Sequence, residues 1–556
     1  IGVFFLALIG IIVWVVRQKQ NDSADYFLGG RDATWLAIGA SIFASNIGSE
    51  HLIGLAGAGA SSGMAMAHWE IQGWMILILG WVFVPFYTRS MVYTMPEFLE
   101  RRYNPQSRTI LSVISLVSYV LTKVAVTVYA GGLVFQQVFG IKELWGIDFF
   151  WIAAIGLVVL TALYTIFGGM KSVLYTSVLQ TPILLLGSLI ILVLGFKELG
   201  GWDEMMRVCG AVTVNDYGDT MTNLIRSNDD ANFPWLGALI GSAIIGFWYW
   251  CTDQFIVQRV LSGKNEMEAR RGTIFGAYLK LLPVFLFLIP GMIAFALHQK
   301  YIGAGGEGFL PMLANGTANA DAAFPTLVAK LLPAGVKGLV VCGILAALMS
   351  SLASLFNSSA MLFTIDFYKR FKPETPEKKL VGIGQIATIV IVVLGILWIP
   401  IMRSVGDVLY TYLQDVQSVL APGIAAAFLL GICWKRTSAQ GGMWGLISGM
   451  VIGLTRLGAK VYYSNAGEVA DSTFKYLFYD MNWLFFCGWM FLFCIIVVIV
   501  VSLATEAPTA EKIQGLVFGT ATKKQKAATR ASWNHWDIIH TVIILAITAA
   551  FYWYFW

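Results

Sequence analysis

The stretch FASNIGSEHLIGLAGAGASSGMAMAHWE, Phe43 to Glu70, decides how this chain folds. Apolar sequence surrounds it, yet it carries Asn46, Ser49, Glu50, His51 and Glu70. Its glycines and serines lower helical propensity, so a membrane helix could be interrupted here and its freed carbonyls could line a water-filled site. The same small residues would also allow a close contact between two helices. The sequence leaves both interpretations open.

The composition is typical of a membrane protein. Of the 556 residues, 58% are hydrophobic and 12% are charged, whereas soluble domains carry about 25% charged residues. Apolar runs such as WLFFCGWMFLFCIIVVIVVSLA are long enough to cross a bilayer core of about 30 Å. They do not alternate as the strands of a membrane barrel do. We therefore predict an all-α polytopic membrane protein.

We predict fourteen membrane spans. They lie near residues 1–17, 34–60, 69–90, 108–138, 148–167, 172–197, 233–258, 270–299, 324–365, 380–402, 406–433, 440–458, 478–503 and 534–556. The first is expected to be a transmembrane helix and not a signal peptide, because it lacks a basic region and a cleavage site.

Charge asymmetry sets the direction of these spans. With the N-terminus outside, the inner loops hold 24 lysines and arginines and the outer loops hold 9. A span missed early would move every later loop to the other side, so the asymmetry supports the count. We expect a multi-pass protein of the plasma membrane, or of the inner membrane of a bacterial cell, with both termini extracytoplasmic.

A second candidate for an interrupted helix is GFWYWCTDQFIVQR, Gly246 to Arg259. Its aromatic residues could simply form an interfacial belt. However, it lies in the seventh predicted span and the first candidate lies in the second, which is the separation that an inverted five-plus-five repeat produces. We predict one transmembrane domain over 1–556, with a peripheral helix at 1–17, repeats at 34–197 and 233–433, and further peripheral helices at 440–556.

A stripe of small and hydroxyl residues follows one face of the ninth span. Ala347, Ser351, Ser354 and Ser358 have i, i+4, i+7, i+11 spacing. The hydroxyls could bond to a neighbouring helix, or they could supply neutral oxygens to a monovalent cation. The stripe alone does not decide between the two.

Isolated polar residues interrupt other spans, where they are costly and usually functional. Lys280 lies too deep to reach the interface easily, and Gln414 belongs to the segment YTYLQDVQSVLAPG. With His51 and Glu70, these side chains could converge on one hydroxyl-rich ligand, against aromatic faces such as Tyr249 and Trp250. The chain has no GxSxG, HExxH, Walker A or dinucleotide-binding motif. We therefore predict no enzyme and no nucleic-acid partner.

Over nearly its whole length, the sequence resembles the sodium/solute symporter family, including the sodium–glucose cotransporters and the bacterial sodium/galactose transporter. The resemblance rests on six ordered blocks: GASIFASNIGSEHLIGLAG, VPFYTRSMVYTMPEFLERRY, YWCTDQFIVQR, GAYLKLLPVFLFLIPGM, SSLASLFNSSAMLFTIDFY and PGIAAAFLLGICWKR. It implies a LeuT-type fold and co-transport of Na⁺ with glucose or galactose by alternating access. Myo-inositol or another organic solute is the alternative cargo, and a sugar-gated sensor or leak channel is the alternative class.

The resemblance also implies site residues. The sodium ligands are the carbonyls of Ala44, Ile47 and Ala347 and the hydroxyls of Ser350 and Ser351. The sugar contacts are Asn46, His51, Glu70, Tyr249, Trp250, Lys280 and Gln414. The gates are Leu55, Trp69 and Tyr410 on the outer side and Tyr249 on the inner side.

Three positions bear on how far the resemblance extends. Gly246 replaces a polar residue that lines the pocket in some relatives, and Ser177 replaces an aspartate linked to a second sodium ion. The sodium-to-solute ratio is therefore open. His51 matches the animal carriers, whereas the bacterial galactose carrier resembles them with glutamine at this place.

Overall fold

The structure is a computed structural model that describes residues 2–18, 22–48, 50–313, 316–404, 409–465 and 470–556. Within these ranges, the side chains at 121, 122, 137, 334, 401–404, 409–413 and 465 lie outside the description.

The protein is almost entirely helical. Its α-helices are α1 Gly2–Arg17, α2 Ser23–Leu28, α3 Trp35–Asn46, α4 Ala56–Ser62, α5 Ala67–Glu70, α6 Gly73–Ile78, α7 Val84–Ser90, α8 Met95–Arg102, α9 Pro105–Ser118, α10 Ala125–Phe139, α11 Phe149–Leu199, α12 Trp202–Gly210, α13 Trp235–Gly246, α14 Gln254–Leu261, α15 Glu266–Lys280, α16 Ile289–Gly303, α17 Ala323–Leu331, α18 Ala334–Met361, α19 Lys369–Phe371, α20 Glu377–Ser404, α21 Leu409–Cys433, α22 Ala439–Asn465, α23 Thr473–Lys475, α24 Trp483–Ala504, α25 Ala510–Ile513, α26 Lys523–Ala531 and α27 His535–Tyr554.

Several of these helices are continued or joined by other elements. π-Helical turns cover Glu50–Leu55, Leu79–Phe83, Tyr119–Val124, Phe247–Thr252, Val284–Leu288, Leu362–Tyr368 and Tyr476–Asp480. Short 3₁₀ turns cover Gly29–Arg31, Gly63–Met66 and Ala320–Ala322. In the described part of the chain, the one sheet is a small antiparallel hairpin of β1 Glu143–Leu144 and β2 Ile147–Asp148.

The helical membrane class predicted from the sequence is confirmed, but the number fourteen is not. Nine helical stretches of the described chain are long and apolar enough to cross a membrane. Part of the difference arises because α11 covers two predicted spans, 148–167 and 172–197. A straight helix of its 51 residues would be about 77 Å long, but Gly169, at φ 53° and ψ −149°, breaks it. The helices α1 and α3 are apolar but shorter than the other candidates.

The stretch that opened the sequence analysis is an interrupted helix. α3 ends at Asn46, and Ile47 follows in an extended conformation with φ −79° and ψ 105°. Helical structure resumes at Glu50 as a π-helical turn that leads into α4. The predicted break is therefore present. It leaves the last carbonyls of α3 without partners from a following helical turn.

The same stretch also makes the close interhelical contact that was the alternative interpretation. A Cβ atom built on Gly59 would lie 2.2 Å from the carbonyl oxygen of Leu288. A Cβ atom on Gly291 would lie 1.9 Å from the carbonyl oxygen of Ala56. The two interpretations hold for different halves of one segment. The polar front half is broken, and the glycine-rich back half packs tightly on the π-helical turn Val284–Leu288 and on α16.

The second predicted interruption is also present. α13 continues as the π-helical turn Phe247–Thr252, and the helix stops at Asp253, where the backbone is extended at φ −77° and ψ 127°. Asp253 then caps α14, because its carboxylate accepts a hydrogen bond from the amide of Phe255. Both interrupted helices face a common interior, which places irregular backbone where it is shielded from lipid.

Candidate functional site

A cavity lies between the two interrupted helices. The empty space inside it, with its open mouth included, is about 680 Å³. Its lining combines hydroxyl, amide and charged groups with aromatic walls. The lining residues are Asn46, Glu50, His51, Trp69, Glu70, Gln72, Lys123, Val126, Thr127, Ile245, Gly246, Tyr249, Trp250, Phe255, Lys280, Ser351, Leu355, Gln414 and Gln417.

A continuous hydrogen-bonded chain crosses the floor of this cavity. The ammonium group of Lys280 donates to Oε2 of Glu70 at 2.6 Å and to Oδ1 of Asn46 at 3.2 Å. The amide of Asn46 in turn donates to the hydroxyl of Tyr249 at 3.1 Å. Nε2 of His51 lies 3.4 Å from the same Glu70 oxygen. These hydrogen bonds join four separate helical segments, so residues that are far apart in sequence meet at one point. The linked residues are Asn46, Glu70, Tyr249 and Lys280.

Lys280 is stabilised in its buried position by an ion pair with Glu70, so its ammonium group does not need to reach the membrane surface. Its side chain and that of Glu70 are both nearly inaccessible, at 4% and 1% exposure. A buried ion pair is tolerated when further hydrogen bonds satisfy it, and Asn46 supplies one of these. The ammonium also lies 5.3 Å from the ring centre of Trp250, a favourable cation–π arrangement.

Two polar atoms at the cavity lack partners in the described part of the chain. Oε1 of Gln414 and Nε1 of Trp69 are buried and make no hydrogen bond there. Buried polar atoms in proteins are nearly always bonded, so each such case calls for an explanation. Because both residues line the cavity, a bound solute with an acceptor and a donor group would satisfy both atoms.

The predicted sodium ligands come from two helices that meet beside this cavity. Ala44 and Ile47 belong to the last turn of α3 and the residue that follows it, where carbonyls are free of helical partners. A Cβ atom built on Gly48 would lie 3.0 Å from the hydroxyl oxygen of Ser351 on α18. Ser351 also lines the cavity, so an ion held there would adjoin the solute.

Neighbouring hydroxyls join α18 to α3 and to α11. The hydroxyl groups of Ser45 and Ser354 lie 2.6 Å apart, and those of Ser177 and Ser350 lie 3.3 Å apart. The hydroxyl stripe of α18 therefore has one of the roles left open by the sequence, because Ser354 bonds across to α3. Ser351 faces the cavity, and its role as a cation ligand stays a prediction. Ala347, one turn before Ser351, is buried on the same face.

The predicted gate residues occupy different positions. Tyr249 lies in the wall next to Asn46, and Trp69 stacks on Trp483 with ring centres 5.5 Å apart. Leu55 is fully buried in the core and is not one of the described residues that line the cavity. Tyr410 has its side chain outside the described part of the chain.

Sequence reasoning missed Lys123. Its ammonium group lies 2.6 Å from Oδ2 of Asp253 and 4.8 Å from the ring centres of both Tyr249 and Phe255. The hydroxyl of Tyr119 donates to the other oxygen of the same carboxylate. The signal was visible, because Lys123 is the one charge in the apolar run YVLTKVAVTVYA and such residues are functional candidates by default.

Gln72 was also missed, and it explains Gly246. The amide of Gln72 donates to the carbonyl of Ser242 at 2.8 Å. A Cβ atom on Gly246 would lie 2.4 Å from Oε1 of Gln72. The glycine therefore makes room for Gln72, whose polar head occupies the place that a side chain at 246 would take.

Interrupted helices around a central polar cavity, in an all-helical membrane protein, define the class of secondary transporters. The family model of the sodium:solute symporter family matches residues 26–449. The chain is 36% identical over 531 residues to the sodium/myo-inositol cotransporter 2 of Homo sapiens, covering 93% of this chain and 78% of that protein. It is 37% identical over 543 residues to the sodium/myo-inositol cotransporter of Canis lupus familiaris, covering 93% of this chain and 74% of that protein.

A solved structure shares the fold. A Na⁺-coupled sialic acid symporter in its substrate-bound, outward-open state superposes with a TM-score of 0.72 at 22% identity, over 91% of this chain and 98% of the symporter. The chain belongs to the sodium:solute symporter family. That family consists of transporters, the chain is a multi-pass membrane protein, and Na⁺ is the ion that it co-transports.

Proposed function

We propose that the protein couples the inward movement of sodium to the uptake of a neutral, polyhydroxylated six-membered ring. Among such solutes, myo-inositol is the first candidate and glucose and galactose are the next. The first expectation from the sequence was glucose or galactose. The preference for a cyclitol comes from the relatives, which are named sodium/myo-inositol cotransporters.

The cavity is the observation that carries the proposal. It presents the Lys280–Glu70 pair, the amides of Asn46 and Gln414, and the face of Trp250 to one enclosed space. Ring hydroxyls both donate and accept hydrogen bonds, so they can pair with an ammonium group, a carboxylate and amides at once. Aromatic faces pack on the apolar face of such a ring.

The proposed cation site explains the coupling. Ala44 and Ile47 on α3, with Ala347, Ser350 and Ser351 on α18, would hold Na⁺ between the two helices. The ion would fix α3, which also carries Asn46, and so form the solute site in the outward-open state. Tyr249, whose hydroxyl accepts a hydrogen bond from Asn46, would hold the solute until the ion leaves toward the cytoplasm. In this orientation both termini lie on the outer side of the membrane.

The driving force is adequate. A potential of about 100 mV contributes about 2.3 kcal/mol for one charge, and a roughly tenfold sodium gradient adds about 1.4 kcal/mol. Their total corresponds to a solute gradient of several hundredfold for one ion per solute.

Uptake into reconstituted vesicles tests the proposal. The purified chain is tested with radiolabelled myo-inositol, scyllo-inositol, glucose, galactose and sialic acid, each under an inward sodium gradient with a negative interior. We expect accumulation of at least one neutral ring above equilibrium, its collapse when sodium is equalised, and none for sialic acid. Solute binding without accumulation would indicate a sensor. Downhill flux that ignores the sodium gradient would indicate a leak channel.

A further inference from the structure

The charged side chains that line the cavity are paired unequally. Lys280 pairs with Glu70 at 2.6 Å, and Lys123 pairs with Asp253 at 2.6 Å. Glu50 also lines the cavity, but no ion pair within 4 Å involves it among the residues that the structure describes. Neither the proposed sugar contacts nor the proposed sodium ligands use this carboxylate. Glu50 is only partly buried, so a counter-charge that enters the cavity can reach its carboxylate.

The position of Glu50 identifies that counter-charge. A Cβ atom built on Gly48 would lie 2.5 Å from Oε2 of Glu50 and 3.0 Å from the hydroxyl oxygen of Ser351, so the two oxygens lie within about 5.5 Å of each other. Hard cations such as Ca²⁺ hold oxygen ligands at about 2.3–2.6 Å, so two ligands of one ion lie within about 5 Å of each other. The upper bound on the separation of the two oxygens is close to this limit, so a small rotation of either side chain allows the carboxylate to share an ion with Ser351.

The local fold holds Glu50 at this place. It is the first residue of the π-helical turn Glu50–Leu55, directly beyond the break that frees the carbonyls of Ala44 and Ile47. A glycine at 48 is required for this arrangement, because any side chain there would collide with the carboxylate. The break, the glycine and the carboxylate thus form one structural unit.

We propose that the carboxylate of Glu50 is the one charged ligand of the co-transported cation, added to the neutral carbonyl and hydroxyl oxygens of the sodium site. The inference rests on the proposed function and deepens it. A carboxylate gives the empty site a charge of −1, which the ion neutralises when it binds. Sodium binding then neutralises a carboxylate that lines the cavity, before the neutral solute binds beside it.

Sodium binding without solute tests the inference directly. The full chain in nanodiscs is titrated with NaCl at constant ionic strength, using choline chloride as the balance, and the fluorescence of the tryptophans is recorded. Trp69 and Trp250 line the cavity and report on it. We expect Glu50→Gln to raise the half-saturating sodium concentration at least tenfold, and Glu50→Asp to raise it less, because the charge is kept on a shorter arm.

A second measurement separates an ion ligand from a solute contact. At saturating sodium, the solute affinity of Glu50→Gln should stay within about threefold of the parent. If the sodium titration of Glu50→Gln equals that of the parent, the inference is wrong. It is also wrong if Glu50→Gln loses as much affinity for the solute, at saturating sodium, as it loses for sodium. Glu307→Gln, in an exposed loop, is the matched control and should titrate as the parent does.

The failure of the proposed function would look different. If the parent chain neither binds sodium nor accumulates solute, then the sodium-coupled function itself is wrong. If the parent does both and Glu50→Gln titrates like the parent, only the role of Glu50 is wrong. Should Glu50→Gln unfold, the Glu50→Asp titration and its thermal unfolding curve decide, because a ligand role shifts the sodium dependence in a protein that remains folded.

Discussion

At the first break, α3 stops at Asn46, and the backbone runs extended through Ile47 before the chain turns back into helix at Glu50. At the second break, between Thr252 and α14, Asp253 caps the following helix and is itself held by Lys123 and Tyr119. Both breaks adjoin the same cavity, but their polar groups are bonded differently. At the first break, the carbonyls and a carboxylate suit an ion that is not part of the chain. At the second break, the charge of Asp253 is balanced within the protein by Lys123.

This difference assigns a separate task to each break. The first can change its partners when an ion arrives or leaves, which suits a site that couples two cargoes. The second holds Tyr249 and Phe255 under the ammonium of Lys123, whose nitrogen is 4.8 Å from both ring centres, and so provides a fixed wall below the solute. Four predictions, from the largest expected effect to the smallest, test this division.

The largest effect is expected at the second break. Lys123→Met leaves the carboxylate of Asp253 buried without its cation, and the two side chains are only 10% and 2% exposed. Removing one partner of a buried pair costs about 3–5 kcal/mol, so thermal unfolding in detergent should occur at a clearly lower temperature. The double variant Lys123→Met with Asp253→Asn should regain most of the loss, because the amide still caps α14. Equal instability of the single and double variants would show that the pair does not brace this break.

The next effect belongs to the first break. Ser351→Ala removes a hydroxyl oxygen from the proposed sodium site, and the half-saturating sodium concentration for uptake should rise at least about 30-fold, equivalent to about 2 kcal/mol. Over the range in which the parent saturates, uptake should stay far below its maximum and no longer reach saturation with sodium, while the protein stays folded. Ser354→Ala, one turn away and bonded to Ser45, is the control. If Ser351→Ala responds to sodium as the parent does, the site is placed wrongly.

The solute wall should respond more weakly. Gln414→Ala removes a buried amide whose Oε1 has no partner among the described residues. A single neutral hydrogen bond contributes about 0.5–1.5 kcal/mol, so solute affinity at saturating sodium should fall about fivefold, with the sodium dependence unchanged. Binding is measured by competition with labelled solute. Gln385→Ala, whose amide bonds to the backbone of Ile166, serves as the control. Parent-like affinity in Gln414→Ala would remove this residue from the pocket.

The sequence alone indicated both breaks as candidates, because polar groups and glycines in a membrane helix need a reason. It also placed Lys280, Glu70 and Asn46 at one site, where the structure joins them within 3.2 Å. It did not find that Asp253 pairs with Lys123, since the two are 130 residues apart and pairing over such a distance has no local pattern.

The number of spans was harder to predict for a physical reason. Hydropathy measures the length of an apolar run but not the conformation of its backbone. α11 is one long apolar segment, and its interruption depends on the positive φ of Gly169. The role of Gly246 was hard to predict for a similar reason. The sequence shows only that a polar side chain is missing there. In the fold this glycine admits Gln72, a residue brought there by another helix.

The smallest effect is expected where the two breaks touch. The hydroxyl of Tyr249 accepts a hydrogen bond from Asn46 at 3.1 Å and is the direct polar link between the helix that would bind the ion and the wall that would hold the solute. Tyr249→Phe keeps the ring and removes only this link, so affinity should change about twofold, equivalent to roughly 0.5 kcal/mol. Solute efflux from preloaded vesicles should be faster by a similar factor, because the wall no longer follows α3. Unchanged efflux in a folded variant would show that the two breaks act independently, and that the ion controls the solute through Asn46 alone.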